Sequence, residues 1–88
     1  MAEQRPYRVL FAKRAVKDFK TLTPKLKAKL KDIIWNRIAI EPRSGKRLVG
    51  DLAGYWSVRL TIKDRIVYRI DEQQRTVYVL RVRTHYSP

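Results

Sequence analysis

The hydrophobic period of this chain changes once, close to residue 54, and that change does most to limit its fold. Before it, apolar residues recur three and four positions apart, the spacing of one helix face. Ala15, Val16, Phe19 and Leu22 make one such set; Leu26, Leu30, Ile33, Ile34 and Ile38 make a second. After it, Trp56, Val58, Leu60 and Ile62 alternate with Tyr55, Ser57, Arg59 and Thr61, the pattern of a half-buried strand. Helical segments followed by consecutive strands define an α+β domain.

The spacing predicts a strand over Tyr7–Phe11, a helix over Lys13–Thr21 and a longer amphipathic helix over Thr23–Ala39. The second helix opens well: the Thr23 hydroxyl caps it, and Pro24 sits where no amide hydrogen is needed. Pro42, Ser44, Gly45, Gly50 and Gly54 interrupt the periodicity, so residues 41–54 read as a loop with room for a brief extended piece around Arg47–Val49. Strands follow over Trp56–Ile62, Arg65–Ile70 and Thr76–Arg83, joined by turns at Lys63–Asp64 and Asp71–Gln74. The expected architecture is α+β: two N-terminal helices packed on a largely antiparallel four-stranded sheet, in the order β-α-α-β-β-β.

At 88 residues the chain reads as a single domain, residues 1–88, since a second would require roughly another hundred residues. It has no cysteine, which excludes disulfides, thiolate metal sites and a thiol nucleophile. No apolar run approaches the roughly 20 residues of a membrane span, and the amino terminus lacks the apolar core of a signal peptide. A cytoplasmic location and no membrane partner are expected.

Charge narrows the function. Lys and Arg number 21 against eight Asp and Glu, a net charge of +13. Self-repulsion on that scale works against a compact state, and nucleic acid is the foremost partner class. Residues 1–50 carry 14 basic and four acidic side chains and are rich in lysine; residues 51–88 carry seven and four, with Lys63 the only lysine. Lysines are mobile point charges, whereas a guanidinium fork grips phosphate oxygens bidentately. The outward side of the helices, with Lys13, Lys17, Lys20, Lys27 and Lys31, suits a nucleic-acid backbone bound without sequence preference.

Carried through all three strands, the alternation turns Trp56, Val58, Leu60, Ile62, Ile66, Tyr68, Ile70, Tyr78, Leu80 and Val82 toward the helices. The opposite face then shows Ser57, Arg59, Arg65, Val67, Arg69, Val77, Val79, Arg81, Arg83 and His85. Like charges placed opposite one another destabilise a sheet, and a plain solvated face would mix signs. A phosphate-binding floor explains the cluster. The plainer reading is that each arginine covers apolar neighbours with its aliphatic stem. His85 is the one histidine; with no second histidine or cysteine to share a metal, it is the candidate for proton transfer near neutral pH.

Three stretches then carry a resemblance. They are Leu52-Ala53-Gly54-Tyr55-Trp56-Ser57-Val58-Arg59-Leu60, Asp64-Arg65-Ile66-Val67-Tyr68-Arg69 and Arg83-Thr84-His85-Tyr86. Together the chain resembles the RelE/ParE superfamily of bacterial type II toxins, and most of all the RelE and YoeB messenger-RNA interferases. The resemblance covers nearly the whole chain and implies a RelE-like microbial RNase fold. It implies cleavage of messenger RNA in the ribosomal A site, with the 70S ribosome and messenger as partners and no cofactor or metal. It also implies a cognate antitoxin that neutralises the toxin. A partner to so basic a chain should be acidic, and partly disordered until it folds across the basic surface.

The resemblance assigns roles by position. Arg65 matches the arginine that stabilises the scissile phosphate, and Arg59 a basic catalytic or phosphate-contacting residue. His85 and Tyr86 match the terminal pair of YoeB-like members, the first catalytic and the second orienting or stacking on substrate. Arg83 is placed to contact the substrate backbone, with Arg81 beside it, and Tyr55 to support the pocket. Two positions depart from the pattern. Lys46, followed by Arg47, stands where YoeB-like members put a glutamate, and Ser57 where RelE-like members put a lysine. The base is therefore left open between His85 and Lys46, and Lys46 serves only if its surroundings remove its proton.

Two other readings compete: a ParE-like toxin that poisons DNA gyrase, and a non-catalytic RNA- or ribosome-binding module. Neither a monomer nor a homodimer is specified by the sequence.

Overall fold

The computed structural model describes residues 5–84, the last two of them, Arg83 and Thr84, by their backbone alone. Strand β1 (Arg8–Phe11) leads into helices α1 (Lys13–Lys20) and α2 (Pro24–Ile33), and these are followed by β2 (Lys46–Arg47), β3 (Trp56–Arg59), β4 (Arg65–Asp71) and β5 (Thr76–Thr84). The strands lie in the order β1-β5-β4-β3-β2, with β1 parallel to β5 and every other neighbour antiparallel.

The sheet therefore has five strands, not the four expected from the sequence. The additional one is β2, whose Lys46 and Arg47 pair with Ser57 and Trp56. It overlaps the brief extended piece expected around Arg47–Val49 at Arg47 alone, because two residues carry no period of their own and pairing with β3 sets the bounds.

Helix α2 starts as its sequence dictates: the Thr23 Oγ1 accepts the Leu26 N–H at 3.2 Å, with Pro24 at the first helical position. Its continuation, Ile34–Ile38, is wound more widely, and the Ala39 N–H donates to the Ile34 carbonyl five residues back at 2.8 Å. Ile34 and Ile38 are both fully buried in this turn. The Tyr7 N–H then donates to the Ala39 carbonyl at 2.7 Å, tying the helix end to the start of β1.

Both helices contribute to a core on one face of the sheet, where Ala15, Leu22, Leu30, Ile34 and Ile38 meet Val58, Ile66, Tyr68, Val77, Val79 and Val82. Two expectations fail here. Alternation puts Ile62 on the core face, yet it is 90% exposed. The Thr61 hydroxyl accepts the N–H groups of Lys63 and Asp64 at 3.1 and 2.9 Å, which ends β3 at Arg59 and lifts Ile62 onto a turn. On β5, Val77 and Val79 point into the core instead of away from it. The cause is a shift of register: Tyr68 opposes Val79, but Val67 opposes Arg81 and Arg65 opposes Thr84. Such bulges reset alternation, which a strict period of two cannot anticipate.

A polar cluster closes the end of the sheet near the β4–β5 turn. The Tyr7 hydroxyl donates to the two carboxylate oxygens of Glu72 at 2.9 and 2.8 Å, and Arg43 forms an ion pair with the same carboxylate. The Arg75 guanidinium lies 4.2 Å from the Tyr7 ring centre. Burial, then Glu72, holds the Tyr7 phenol above its ordinary value. The Arg43 guanidinium, then the Tyr7 hydroxyl, holds the Glu72 carboxyl below its ordinary 4.5. A carboxyl lowered in the folded state stabilises fully above its unfolded value, and the gain is lost as pH falls through the folded value. Glu72→Gln should therefore lower the melting temperature at neutral pH and flatten its decline between roughly pH 5 and pH 3. Identical acid slopes for variant and wild type, read by thermal melts, would remove Glu72 from the acid transition.

Candidate active site

The face of the sheet turned away from the helices carries the candidate site. On β3, Ser57 and Arg59 alternate with the core-facing Trp56 and Val58; on β4, Arg65 and Val67 alternate with Ile66 and Tyr68. Pairing sets Ser57 opposite Val67, Arg59 opposite Arg65, and Lys46 of β2 opposite Ser57. Four of these side chains, Lys46, Ser57, Arg59 and Arg65, line one open depression of about 130 Å³. That is well below the roughly 300–1,000 Å³ of small-molecule pockets; it suits a single oxyanion. Ser57 is buried, Arg65 half-buried, and Lys46 and Arg59 exposed.

The Arg59–Arg65 pair sets the chemistry of the depression. Two guanidiniums directly opposite one another across an antiparallel ladder repel, and an anion between them turns that repulsion into attraction. Two guanidiniums, a lysine ammonium and a serine hydroxyl then line one depression. The arrangement concentrates positive charge and hydrogen-bond donors on one side of the sheet.

Strand β2 is held from beneath. The Tyr68 hydroxyl, on a fully buried side chain, donates to the Pro42 carbonyl at 2.6 Å, and burial pushes its phenol up to about 12. Arg37 donates to the Ser44 hydroxyl and carbonyl at 3.0 and 2.8 Å. Gly45 follows, and a Cβ there would overlap the Tyr68 hydroxyl and lie 2.7 Å from the Ser57 carbonyl oxygen. This close approach delivers Lys46 to its place beside Ser57. Sequence reasoning misses Tyr68, Gly45 and Arg37 in this role; the Pro42–Gly45 loop composition is their only signal.

Other expected residues are placed elsewhere. Arg81 does not join the depression: its Nε and Nη2 donate to the Asp18 carboxylate of α1 at 2.7 and 3.2 Å. That carboxylate also accepts the Val82 N–H at 3.2 Å. Asp18 thus takes over at the edge of β5 where β1 has ended, and the register shift there brings Arg81 to it. Arg47 pairs with Trp56 and lies 6.0 Å from its ring centre, on the side opposite Lys46. Arg69 stacks on Tyr78 at 4.2 Å. Tyr55 is half-buried just before β3, its carbonyl accepting the Leu48 N–H, and does not line the depression. Lys13, Lys17, Lys20 and Lys31 are exposed on the helices, across the sheet from the arginines. His85, Tyr86 and the side chain of Arg83 lie outside the described residues. Among the described residues no three His, Cys, Asp or Glu side chains come together as metal ligands would, and no helix is long and apolar enough to cross a membrane.

Fold and site together define a small cationic α+β domain with an arginine-lined depression on the open side of its sheet. A family model described as the ParE-like toxin of type II bacterial toxin–antitoxin systems matches residues 9–87. Toxin RelG of Mycobacterium tuberculosis is 38% identical over 78 residues, 88% of each chain. Among solved structures, a chain of the toxin–antitoxin complex RelBE2 from Mycobacterium tuberculosis superposes over all of both chains with a TM-score of 0.82 and 35% identity. The YoeB/ParE toxin from Agrobacterium tumefaciens gives 0.78 at 29% identity, covering 90% of this chain and 99% of that one. This chain belongs to the RelE/ParE superfamily of toxins of type II toxin–antitoxin systems.

The brace makes a prediction about the site. Gly45→Ala should cost about 1–3 kcal/mol, the range for forcing extra atoms into a packed position. Tyr68→Phe should cost a similar ~1–3 kcal/mol by leaving the Pro42 carbonyl without its donor. Urea unfolding measures both; a Gly45→Ala variant as stable as wild type would show that the approach of β2 to Tyr68 has slack.

Proposed function

We propose that this toxin is a ribosome-dependent endoribonuclease that cuts messenger RNA in the A site without a metal. The observation that carries the reading is the opposition of Arg59 and Arg65 beside Lys46 and Ser57 around one oxyanion-sized depression. In the reaction the 2′-oxygen of the RNA attacks the adjacent phosphorus and the bond to the 5′-oxygen breaks, leaving a cyclic phosphate and a 5′-hydroxyl. RNA is required because DNA lacks the attacking group. Negative charge grows on the phosphoryl oxygens, and preorganised donors stabilise it without reorganising. Arg65 holds the scissile phosphate and Arg59 shares its charge. An arginine does not surrender its proton, so His85 carries the proton between the 2′-hydroxyl and the leaving oxygen. Tyr86 orients or stacks on the substrate, Arg83 contacts its backbone, and Lys46 adds positive charge.

The cationic helices bind ribosomal RNA, which places the toxin's work in the cytoplasm and its effect on translation. The partner is a cognate acidic antitoxin; RelBE2, with a toxin chain similar to this one, was solved as a toxin–antitoxin complex. The ParE-like family description keeps a second reading in view, poisoning of DNA gyrase, which would damage DNA and leave messenger ends intact.

Primer extension on a defined ribosome–messenger complex tests the mechanism. Arg65→Ala and Arg59→Ala should each slow cleavage by about 10²–10³-fold, and His85→Ala by about tenfold or more, with ribosome binding retained. Wild-type rates in Arg65→Ala and His85→Ala would end the mechanism, and an uncut messenger with DNA breaks in cells would favour the second reading.

The helix surface makes a separate prediction. Changing Lys13, Lys17 and Lys20 to glutamate should weaken ribosome binding and flatten its dependence on salt, by roughly 0.7–0.9 in log–log slope for every phosphate no longer neutralised. Sedimentation at several salt concentrations reads this, and an unchanged slope would clear α1 of any role in holding the ribosome.

A further inference from the structure

We infer that Asp18, on helix α1, is a positioning residue of the candidate site: its carboxylate fixes the course by which β5 carries the chain past Arg65. Asp18 stands in the last turn of α1, where Lys17 and Lys20 also lie. A carboxylate there opposes the helix dipole, which favours cations at that end. It is also largely withdrawn from solvent, its side chain 14% exposed. Neither feature benefits the helix, so the place of this acid is explained by what it touches.

It touches β5 at that strand's least supported point. Strand β1 covers one edge of β5 only as far as Val79, which pairs with Phe11 and accepts the Ala12 N–H at 2.9 Å. Along the other edge the ladder with β4 slips twice: three positions from Tyr68 back to Arg65 are matched by five from Val79 to Thr84. In the stretch that follows β1, β5 therefore holds two residues more than its partner. Val82 lies inside that stretch, its side chain fully buried. Its N–H donates to Asp18 Oδ2 at 3.2 Å, while the Arg81 guanidinium holds the same carboxylate at 2.7 and 3.2 Å. One acid thus grips the main chain and a side chain of consecutive residues.

Bulged strands bend, and a slip of one residue turns every residue beyond it to the opposite face. Thr84, two residues after Val82, is the partner of Arg65, and His85 is the next residue in the chain. Asp18 selects the register in which Thr84 arrives opposite Arg65, and with it the point from which the chain continues to His85. The assignment rests on the nuclease reading, in which His85 acts at the phosphate held by Arg65. A carboxylate that only stabilised the fold would lower the melting temperature and leave the rate of the folded protein alone.

Primer extension on the defined ribosome–messenger complex, run with the full chain as single turnovers over a range of ribosome concentrations, separates rate from binding. Asp18→Ala should lower the maximal cleavage rate by about 10–100-fold, the scale of loss when reacting groups are displaced by about an ångström. The half-saturating ribosome concentration should not move. Asp18→Asn keeps an oxygen that accepts the Val82 N–H and should recover most of the loss. Added to His85→Ala, Asp18→Ala should cost nothing further, because a group that acts through another has no effect once the other is gone. Circular dichroism confirms that each variant is folded at the assay temperature; Asp18→Leu, of similar size without an acceptor, carries the test if the alanine variant is not. Wild-type rates in the folded variant would overturn the assignment. So would a loss that multiplies with that of His85→Ala, a loss confined to ribosome binding, or no recovery in Asp18→Asn. A wild-type chain that leaves the messenger uncut would instead overturn the nuclease reading, and the assignment with it.

Discussion

Tyr68 is where the core and the candidate site meet. Its ring is fully buried among the side chains that seal helices to sheet, and its hydroxyl reaches the Pro42 carbonyl at 2.6 Å. A buried hydroxyl without a partner costs on the order of 1–3 kcal/mol, so this bond fixes where the Pro42–Ser44 turn can lie. Gly45 then passes too close to Tyr68 and Ser57 to carry a side chain, and β2 is delivered into register with β3. Lys46 reaches the depression only because that sequence of contacts holds. One core residue thus sets the position of a side chain on the opposite face of the sheet.

The core bears a second load, the opposition of Arg59 and Arg65. Other arginines of β4 and β5 have different neighbours. Arg69 lies on the Tyr78 ring, and Arg81 is taken by Asp18. At Arg59 and Arg65 the cross-strand partner is another guanidinium. A protein selected for stability alone would place a carboxylate there. Strands β3 and β4 keep the pair together because Val58 and Ile66, immediately beside it on the other face, are buried in the core. The backbone on either side of the pair is thus fixed by the core, whatever the two guanidiniums contact.

How much of this was legible in the sequence follows from the range of each interaction. Both helices, the Thr23 cap and the strands from Trp56 onward rest on neighbours a few residues apart, and the sequence period displays them. Arg59 and Arg65 were legible too, because β3 and β4 are consecutive and the turn between them is short. The rest depends on contacts distant in sequence. Strand β2 exists through β3 and Tyr68, the diversion of Arg81 requires Asp18 from α1, and the β5 register shift depends on β4. Ile62 failed for a different reason: the Thr61 hydroxyl offers the backbone a turn that competes with continued pairing, and hydrophobic alternation does not register it.

The molecule's two cationic surfaces act as separate sites, and distance decides this. Its shortest dimension is 22 Å, whereas exposed charges are largely screened beyond a Debye length of about 8 Å at physiological salt. Negative charge brought to the helix lysines therefore does little to the potential at Arg59 and Arg65, and the reverse. Inhibition by electrostatic neutralisation of the whole +13 is not open to a partner that covers one side.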